Sequence, residues 1–291
     1  MEGPVFAPGL FCIFQRFAAR ESGGPESAQQ RSDPIYRITG YGRPMSGRID
    51  FLDLQFDDID ADAMVAILRT RRADAPFAYV VTPNVDHIVR LSRADAPPDV
   101  REAYAAAGWC LCDSRILGRL AKLHGLTLRV VPGSDLTAKL ISDVLAAGDR
   151  LCLIGGRAGD IAALTALRPD VIVVQHIPPP GLARDADART AAARFAVDAQ
   201  ARLTLIAVGS PQQELIAAEI AQIPGPTGTA LCIGASLDFL TGRTRRAPIW
   251  MQRASLEWLH RLLSDPARLW RRYLIEGPRI FMLTWRWSRR R

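Results

Sequence analysis

The sequence predicts an α/β fold: a doubly wound, Rossmann-like parallel sheet with a C-terminal helical, Arg- and Trp-rich, membrane-associating appendage. Three observations predict it. Short apolar runs alternate with segments of helical spacing from Ile49 to Gly234, the pattern of strands and helices in a parallel sheet. Several runs close on glycine (Gly155-Gly156, Gly209, Gly234), as buried strands do when they feed a turn into a helix. After Gly234 the alternation stops and arginine accumulates. The spacing divides the chain into a mobile arm (1–45), a Rossmann-like core (46–242) and a basic helical appendage (243–291).

In the arm, Gly23-Gly24-Pro25 and a Ser/Gln/Arg mixture argue against a packed core, although Gly9–Arg20 has the spacing of a short amphipathic helix. Ile49–Phe56 reads as an edge strand and Ala61–Arg71 as a helix capped by Asp60. Asp58, Asp60 and Asp62 form overlapping D-x-D patterns, as do Asp185 and Asp187. Such pairs can hold a metal–nucleotide complex, but both sets precede helical patterns, so capping is the favoured reading. Phe77–Val81 is a strand ending in Thr82-Pro83-Asn84, before a helix at Val85–Arg93. Thr82 and Asn84 then sit at a strand's carboxyl end, where they bond either a ligand or the next helix's N–H groups.

A helix at Asp99–Ala107 leads to the strand Trp109–Cys112, with Asp113 at its end. Ser114–His124 is helical, and Leu126–Val131 reads as another strand closing on Pro132-Gly133-Ser134-Asp135-Leu136. Asp113 and Asp135 are thus two carboxylates at one sheet edge. Either can cap a helix, and one can serve as a general base. The pattern repeats with strand Arg150–Ile154, helix Gly159–Leu167, strand Val171–Val174 and helix Asp187–Gln200. Gly155-Gly156 allows a phosphate close to the backbone, though without the full dinucleotide fingerprint.

Leu203–Val208 is an apolar, partly β-branched strand entering a helix through Gly209-Ser210-Pro211-Gln212-Gln213. Ser210 fits the N-cap, Pro211 the first helical position and Gln213 the far side of a capping box. Such a helix start favours anions in the sheet's crevice. Thr229–Ile233 is the last strand. Beyond it, Ile249–Leu263 has amphipathic spacing, and Asp265-Pro266 opens a helix with Arg268, Arg271 and Arg272 on one face.

Composition bounds the function. The chain has 291 residues, 48% hydrophobic and 23% charged, which fits a globular protein with a sizeable core. Five cysteines without C-x-x-C spacing (Cys12, Cys110, Cys112, Cys152, Cys232) suggest reduced, buried thiols of a cytosolic protein. No stretch approaches the ~20 apolar residues of a membrane span. The opening MEGPVFAPGLFCIF lacks a basic segment before its apolar run, which argues against a secretory signal. From Arg243 onward, 13 arginines face only Glu257, Asp265 and Glu276, a charge of +10. With +7 for the whole chain, residues 1–242 carry −3. The tail therefore points to an anionic partner: a membrane surface, a diphosphate or nucleic acid.

Thr82-Pro83-Asn84, Asp113, PGSDL at 132–136, LIGG at 153–156, GSPQQE at 209–214 and the long run GASLDFLTGRTRRAPIWMQRASLEWLHRLLSDPARLWRRYL at 234–274 together resemble the TagA/WecG/CpsF glycosyltransferases of bacterial cell-surface polymer synthesis. The resemblance spans residues 48–275. It implies an inverting, metal-independent transferase that needs no cofactor. Such an enzyme moves a sugar from a UDP-sugar donor to a polyprenyl-diphosphate-linked acceptor at the anionic inner face of the bacterial cytoplasmic membrane. Asp113 matches the family's base. Thr82, Asn84 and Gln213 match its donor-site residues, with Asp135, Gly155, Gly156, Gly209 and Glu214 in the matching motifs around them. Arg261, Arg268 and Arg271 match arginines of the family's C-terminal segment that act at the active site. The best-known donor sugar there is N-acetylmannosamine; exopolysaccharide relatives extend the choice to glucose or glucuronic acid. A homo-oligomer is compatible with the resemblance.

Two features depart from the family pattern. Ser114 follows Asp113 where glycine is usual, and the arginine expected at Val130 stands instead at Arg129. Two other function classes compete: a nucleotide-binding protein without catalysis, and an Arg-rich nucleic-acid-binding protein. Asp113 argues against the first. The tail's tryptophans, interspersed with aliphatic residues, favour a lipid interface over a base-stacking platform and argue against nucleic acid.

Overall fold

Apolar runs that send alternate residues to opposite faces build the centre of this protein. The computed structural model describes residues 47–291, and the backbone of two short antiparallel strands, β1 (Ile38–Thr39) and β2 (Arg43–Pro44). The arm expected to be mobile, the helix expected over Gly9–Arg20 and Cys12 otherwise lie outside the described residues. β3 (Arg48–Phe51) and β4 (Leu54–Asp57) form a hairpin. Six parallel strands make the main sheet: β5 (Ala78–Val81), β6 (Trp109–Cys110), β7 (Arg150–Gly155), β8 (Ile172–His176), β9 (Leu203–Ala207) and β10 (Thr229–Cys232). Their order is β6-β5-β10-β9-β7-β8. The fold is Rossmann-like, as expected.

Period-2 alternation sorts the strand residues into two cores. Val80, Leu151, Leu153, Leu205 and Leu231 face α1 (Ala61–Thr70), α5 (Gly133–Asp143), α6 (Asp160–Leu167) and α9 (Ser236–Leu240). Tyr79, Val81, Ile154, Ile206 and Cys232 face α2 (Val85–Leu91), α3 (Pro98–Ala106), α4 (Arg115–Leu123), α7 (Ala186–Asp198) and α8 (Gln212–Gln222). The chain leaves β5 outward to β6 and leaves β7 outward to β8 on the other side. That reversal opens a crevice at the strands' carboxyl ends, where such sheets bind ligands.

After α9 come α10 (Ile249–Ala254), α11 (Glu257–Ser264), α12 (Pro266–Trp270), a π-helical turn (Arg271–Glu276) and α13 (Arg279–Ser288). This segment is not set apart from the core. Ile280 and Trp287 of α13 are buried in the second of the two cores, with the Trp287 ring edge-on to Phe51 at 5.1 Å.

Several local expectations change. Ile49–Phe56 is no edge strand of the main sheet; it is most of the β3–β4 hairpin, turning at Leu52-Asp53, both with positive φ. The hairpin covers the edge at β6, where Asp57 accepts the Cys110 N–H at 2.8 Å. Leu126–Val131 is not a strand. Val130 makes a single bridge to Cys112 before Pro132 turns the chain into α5. Ile249–Leu263 is two helices, because Ser255 adopts a left-handed conformation (φ 64°) between α10 and α11. Ser210 and Gln213 form no capping box; α8 starts at Gln212 with no side-chain cap.

The capping expectations for Asp60 and Asp185 agree with the structure. Each accepts a helix N–H, from Ala63 and Ala188 respectively, at 2.9 Å. Arg129 pairs with Asp58 and Asp60, and Lys139 with Asp62. Cys110, Cys112, Cys152 and Cys232 are free and buried, and burial pushes the Cys112 and Cys152 thiols up to about 12. These are inert packing groups.

Candidate active site

The C-terminal edge of the sheet holds a cavity of about 400 Å³. Its floor comes from strand ends and helix starts: Asn84 after β5, Asp113 and Ser114 after β6, Pro132 and Ser134 at α5, and Ser236 at α9. Its outer wall comes from the C-terminal helices, including Glu257, Trp258, Arg261, Arg272, Tyr273 and Phe281.

Asp113 is fixed from both sides. Its N–H bonds the Pro83 carbonyl at 3.0 Å, and its carboxylate accepts the Gly133 N–H at the start of α5. Gly133 is crowded there: a Cβ would lie 3.0 Å from Thr82 Oγ1, 3.6 Å from Asp113 Oδ2 and 3.7 Å from Ser236 Oγ. Three oxygens therefore converge on one backbone position. Burial pushes the Asp113 carboxyl up to about 7, against the pull of the Gly133 N–H and the Arg261 guanidinium, with Glu257 and Asp135 adding to the rise. A carboxylate balanced near neutral pH and open to a cavity is suited to taking a proton from a bound hydroxyl.

The other expected residues fall into groups. Asn84 lines the cavity and also caps α2, accepting the Asp86 N–H at 3.1 Å, while its own N–H bonds His87 Nδ1 at 3.0 Å. The capping reading of Asn84 holds, and the residue caps from a place in the cavity lining. Burial pushes His87 down to about 4, which keeps Nδ1 free to accept. Thr82 stands behind the floor, beside Gly133. Asp135 is paired with Arg246 and does not line the cavity. Arg261 does line it, its guanidinium 5.2 Å from the Phe239 ring centroid. Arg268 and Arg271 do not. They pair with Asp265 and Glu276 on the outer side, each with its side chain 75% exposed. They do not share a face with Arg272 as expected; of the three it alone turns inward, to Asp86 at 3.3 Å.

A second, smaller cavity of about 180 Å³ lies across α9, lined by Gly156, Arg157, Ala207, Gly234, Leu237, Asp238 and Arg243. Gly156 (φ 73°) packs so closely that a Cβ would meet Asp160 Oδ2 at 2.7 Å. Asp160 is fully buried and bonded by Arg243 and the Arg157 N–H. Gly155 (φ 90°) lies just behind, against Ala207 and Val208. Gly209, Gln213 and Glu214 line neither cavity. Gln213 and Glu214 are buried. Gln213 Oε1 accepts the Gly234 N–H at 2.8 Å, its Nε2 donates to Glu214 Oε1 at 2.8 Å, and the Tyr104 hydroxyl donates to the same oxygen at 3.1 Å. They shape the β10–α9 turn from beneath.

Ser236, Arg245 and Glu257 lie inside the long matching run at 234–274 but are not singled out within it, and Arg115 carries no motif signal; all four line the large cavity. A doubly wound sheet with an arginine-lined cavity and an inset carboxylate at its carboxyl edge defines a Rossmann-like α/β protein. Within that class the chain belongs to a single family: residues 49–291 match the glycosyl transferase WecG/TagA/CpsF family. It is a glycosyltransferase.

Proposed function

We propose that the chain is an inverting, metal-independent transferase that moves a sugar from a UDP-sugar to a polyprenyl-diphosphate-linked saccharide in cell-surface or exopolysaccharide synthesis. The observation that carries this reading is the Asp113 carboxylate, held near its titration midpoint at neutral pH on the floor of the large cavity. As base it removes the proton from the acceptor hydroxyl as that oxygen attacks the anomeric carbon. The departing diphosphate needs positive charge, and Arg261 with its neighbours supplies it in place of a metal ion. Gly156, Gly234, Arg157 and Arg243 suit the small cavity to the nucleotide of the donor, and the apolar outer wall of the large one suits a lipid-linked acceptor.

No helix among the described residues is long and apolar enough to cross a membrane. The exposed Trp250, Trp270, Phe281 and Trp285, among the tail's arginines, support peripheral binding to an anionic inner-membrane surface. Asp113→Asn tests the reading. Transfer from UDP-sugars to a synthetic polyprenyl-diphosphate acceptor should fall about 10²–10⁴-fold while UDP binding persists. Retention of more than about a tenth of activity removes Asp113 from the role of base. In EDTA the wild type should keep its rate; loss restored by Mg²⁺ or Mn²⁺ overturns the metal-independent mechanism. Screening UDP-N-acetylmannosamine, UDP-glucose and UDP-glucuronate in the same assay identifies the donor.

A further inference from the structure

Arg115 is the first residue of α4, two positions after Asp113. A cation at this end of a helix sits against the positive pole of the dipole and against unpaired N–H groups, an unfavourable place unless an anion is near. Three arginines of the two cavities have their anion in the protein: Arg246 has Asp135 and Arg272 has Asp86 at the large one, and Arg243 has Asp160 at the small one. Arg115 makes no hydrogen bond or ion pair among the described residues, and its Nε is buried without a partner. Arg245 and Arg261 also line the cavity without an ion pair. Five arginines in the cavity lining (115, 245, 246, 261, 272) face three carboxylates (Asp86, Asp113, Glu257), so an excess of positive charge remains even with Asp113 ionised.

We propose that Arg115, assisted by Arg245, binds an oxyanion of the acceptor and so selects acceptors that carry negative charge next to the sugar to be extended. Arg115 and Asp113 line the same cavity, two positions apart in the chain, so the anion it holds shares that cavity with the hydroxyl that Asp113 deprotonates. Two acceptor groups have this chemistry, the diphosphate of the lipid carrier and the carboxylate of a uronic acid. This rests on the transferase reading above, but its test includes a measurement that does not require turnover.

The full chain is assayed with two soluble acceptor analogues of the same sugar, one an alkyl diphosphate and one an uncharged alkyl glycoside. Arg115→Gln should raise KM for the diphosphate analogue about 10- to 100-fold, with a smaller change in kcat and none in KM for the UDP-sugar. Arg115→Lys should recover part of the loss. The uncharged glycoside should be a poor acceptor for the wild type and no worse for the variant. If the variant discriminates only between a uronate glycoside and its neutral counterpart, the carboxylate is the group read. An equal loss on charged and uncharged acceptors, or a raised donor KM, overturns the proposal. Should the wild type transfer to no acceptor, the transferase reading falls separately, and titration of inorganic pyrophosphate still decides the anion site. Pyrophosphate should bind the wild type at least tenfold more tightly than Arg115→Gln, and equal binding overturns the site.

Discussion

Replacing Gly156 with Ala puts a methyl group where the backbone, a carboxylate and a leucine already meet. Two costs follow. At φ 73° an alanine sits in the left-handed region, a penalty of about 1–2 kcal/mol. The new Cβ would also lie 2.7 Å from Asp160 Oδ2 and 2.9 Å from Leu237 Cδ2. The leucine end can swing aside, but the carboxylate is bonded by Arg243 and the Arg157 N–H, so it yields only by loosening those bonds. Overpacking of this kind costs about 1–3 kcal/mol. The sum, about 2–5 kcal/mol, should lower Tm by roughly 5–15 °C for a chain of this size. Gly148 isolates the backbone part: its φ is 84° and a Cβ there meets nothing within 4 Å. Gly148→Ala should therefore lose only the left-handed penalty, about 1–2 kcal/mol. Melting both variants by circular dichroism and titrating UDP completes the assay. UDP affinity should fall in Gly156→Ala alone. Equal Tm losses in the two variants would refute the close approach at Gly156, and unchanged UDP affinity would remove the small cavity from the donor site.

The raised pKa of Asp113 has two consequences. kcat/KM should climb with pH through a midpoint near 7, as the base ionises, and a profile flat from pH 5 to 9 contradicts it. Because the folded state holds this proton more tightly than the unfolded chain, Asp113 weakens stability as pH rises from 4 to 7; Asp113→Asn should raise Tm at pH 8 and leave it unchanged near pH 3, and the opposite order reverses the sign. Arg261→Ala should lower kcat on a soluble acceptor by at least tenfold, whereas Arg268→Ala and Arg271→Ala should weaken binding to anionic vesicles and spare soluble turnover; equal kinetic losses in all three return the outer arginines to the site. Trp287→Ala should cost about 3–5 kcal/mol, since it empties the contact of α13 with Phe51, and a loss below about 1 kcal/mol would mean that α13 is a loose appendage.

The parallel sheet was legible because all its strands but the edge strand β8 are largely buried on both faces, and such strands appear as plain apolar runs. Leu126–Val131 looks the same but has a place for only one bridge, at Val130, before Pro132 redirects the chain. The turn at Leu52-Asp53 and the break at Ser255 put positive φ on residues that do not advertise it, where Asn or Gly would have. Ser210 and Gln213 had sound local chemistry for a cap. The Gly234 N–H, twenty-one positions further on, outcompeted it for the glutamine. Arg268 and Arg271 were placed at the site by the resemblance alone, and here each finds its anion on the outer side, in Asp265 and Glu276. Asp113 was legible as the residue closing a strand. Arg115 was not, since nothing local distinguishes a cavity-facing charge from a solvated one.

The two cavities share a wall one helix thick. Ser236 and Phe239 of α9 face the large cavity, and Leu237 and Asp238 face the small one. A molecule that displaced α9 from one chamber would therefore reshape the other. Linkage is then reciprocal: if the first ligand tightens the second by some factor, the second tightens the first by the same factor. With donor and acceptor in the two chambers as proposed, each would sense the other through the five residues of α9, Ser236–Leu240.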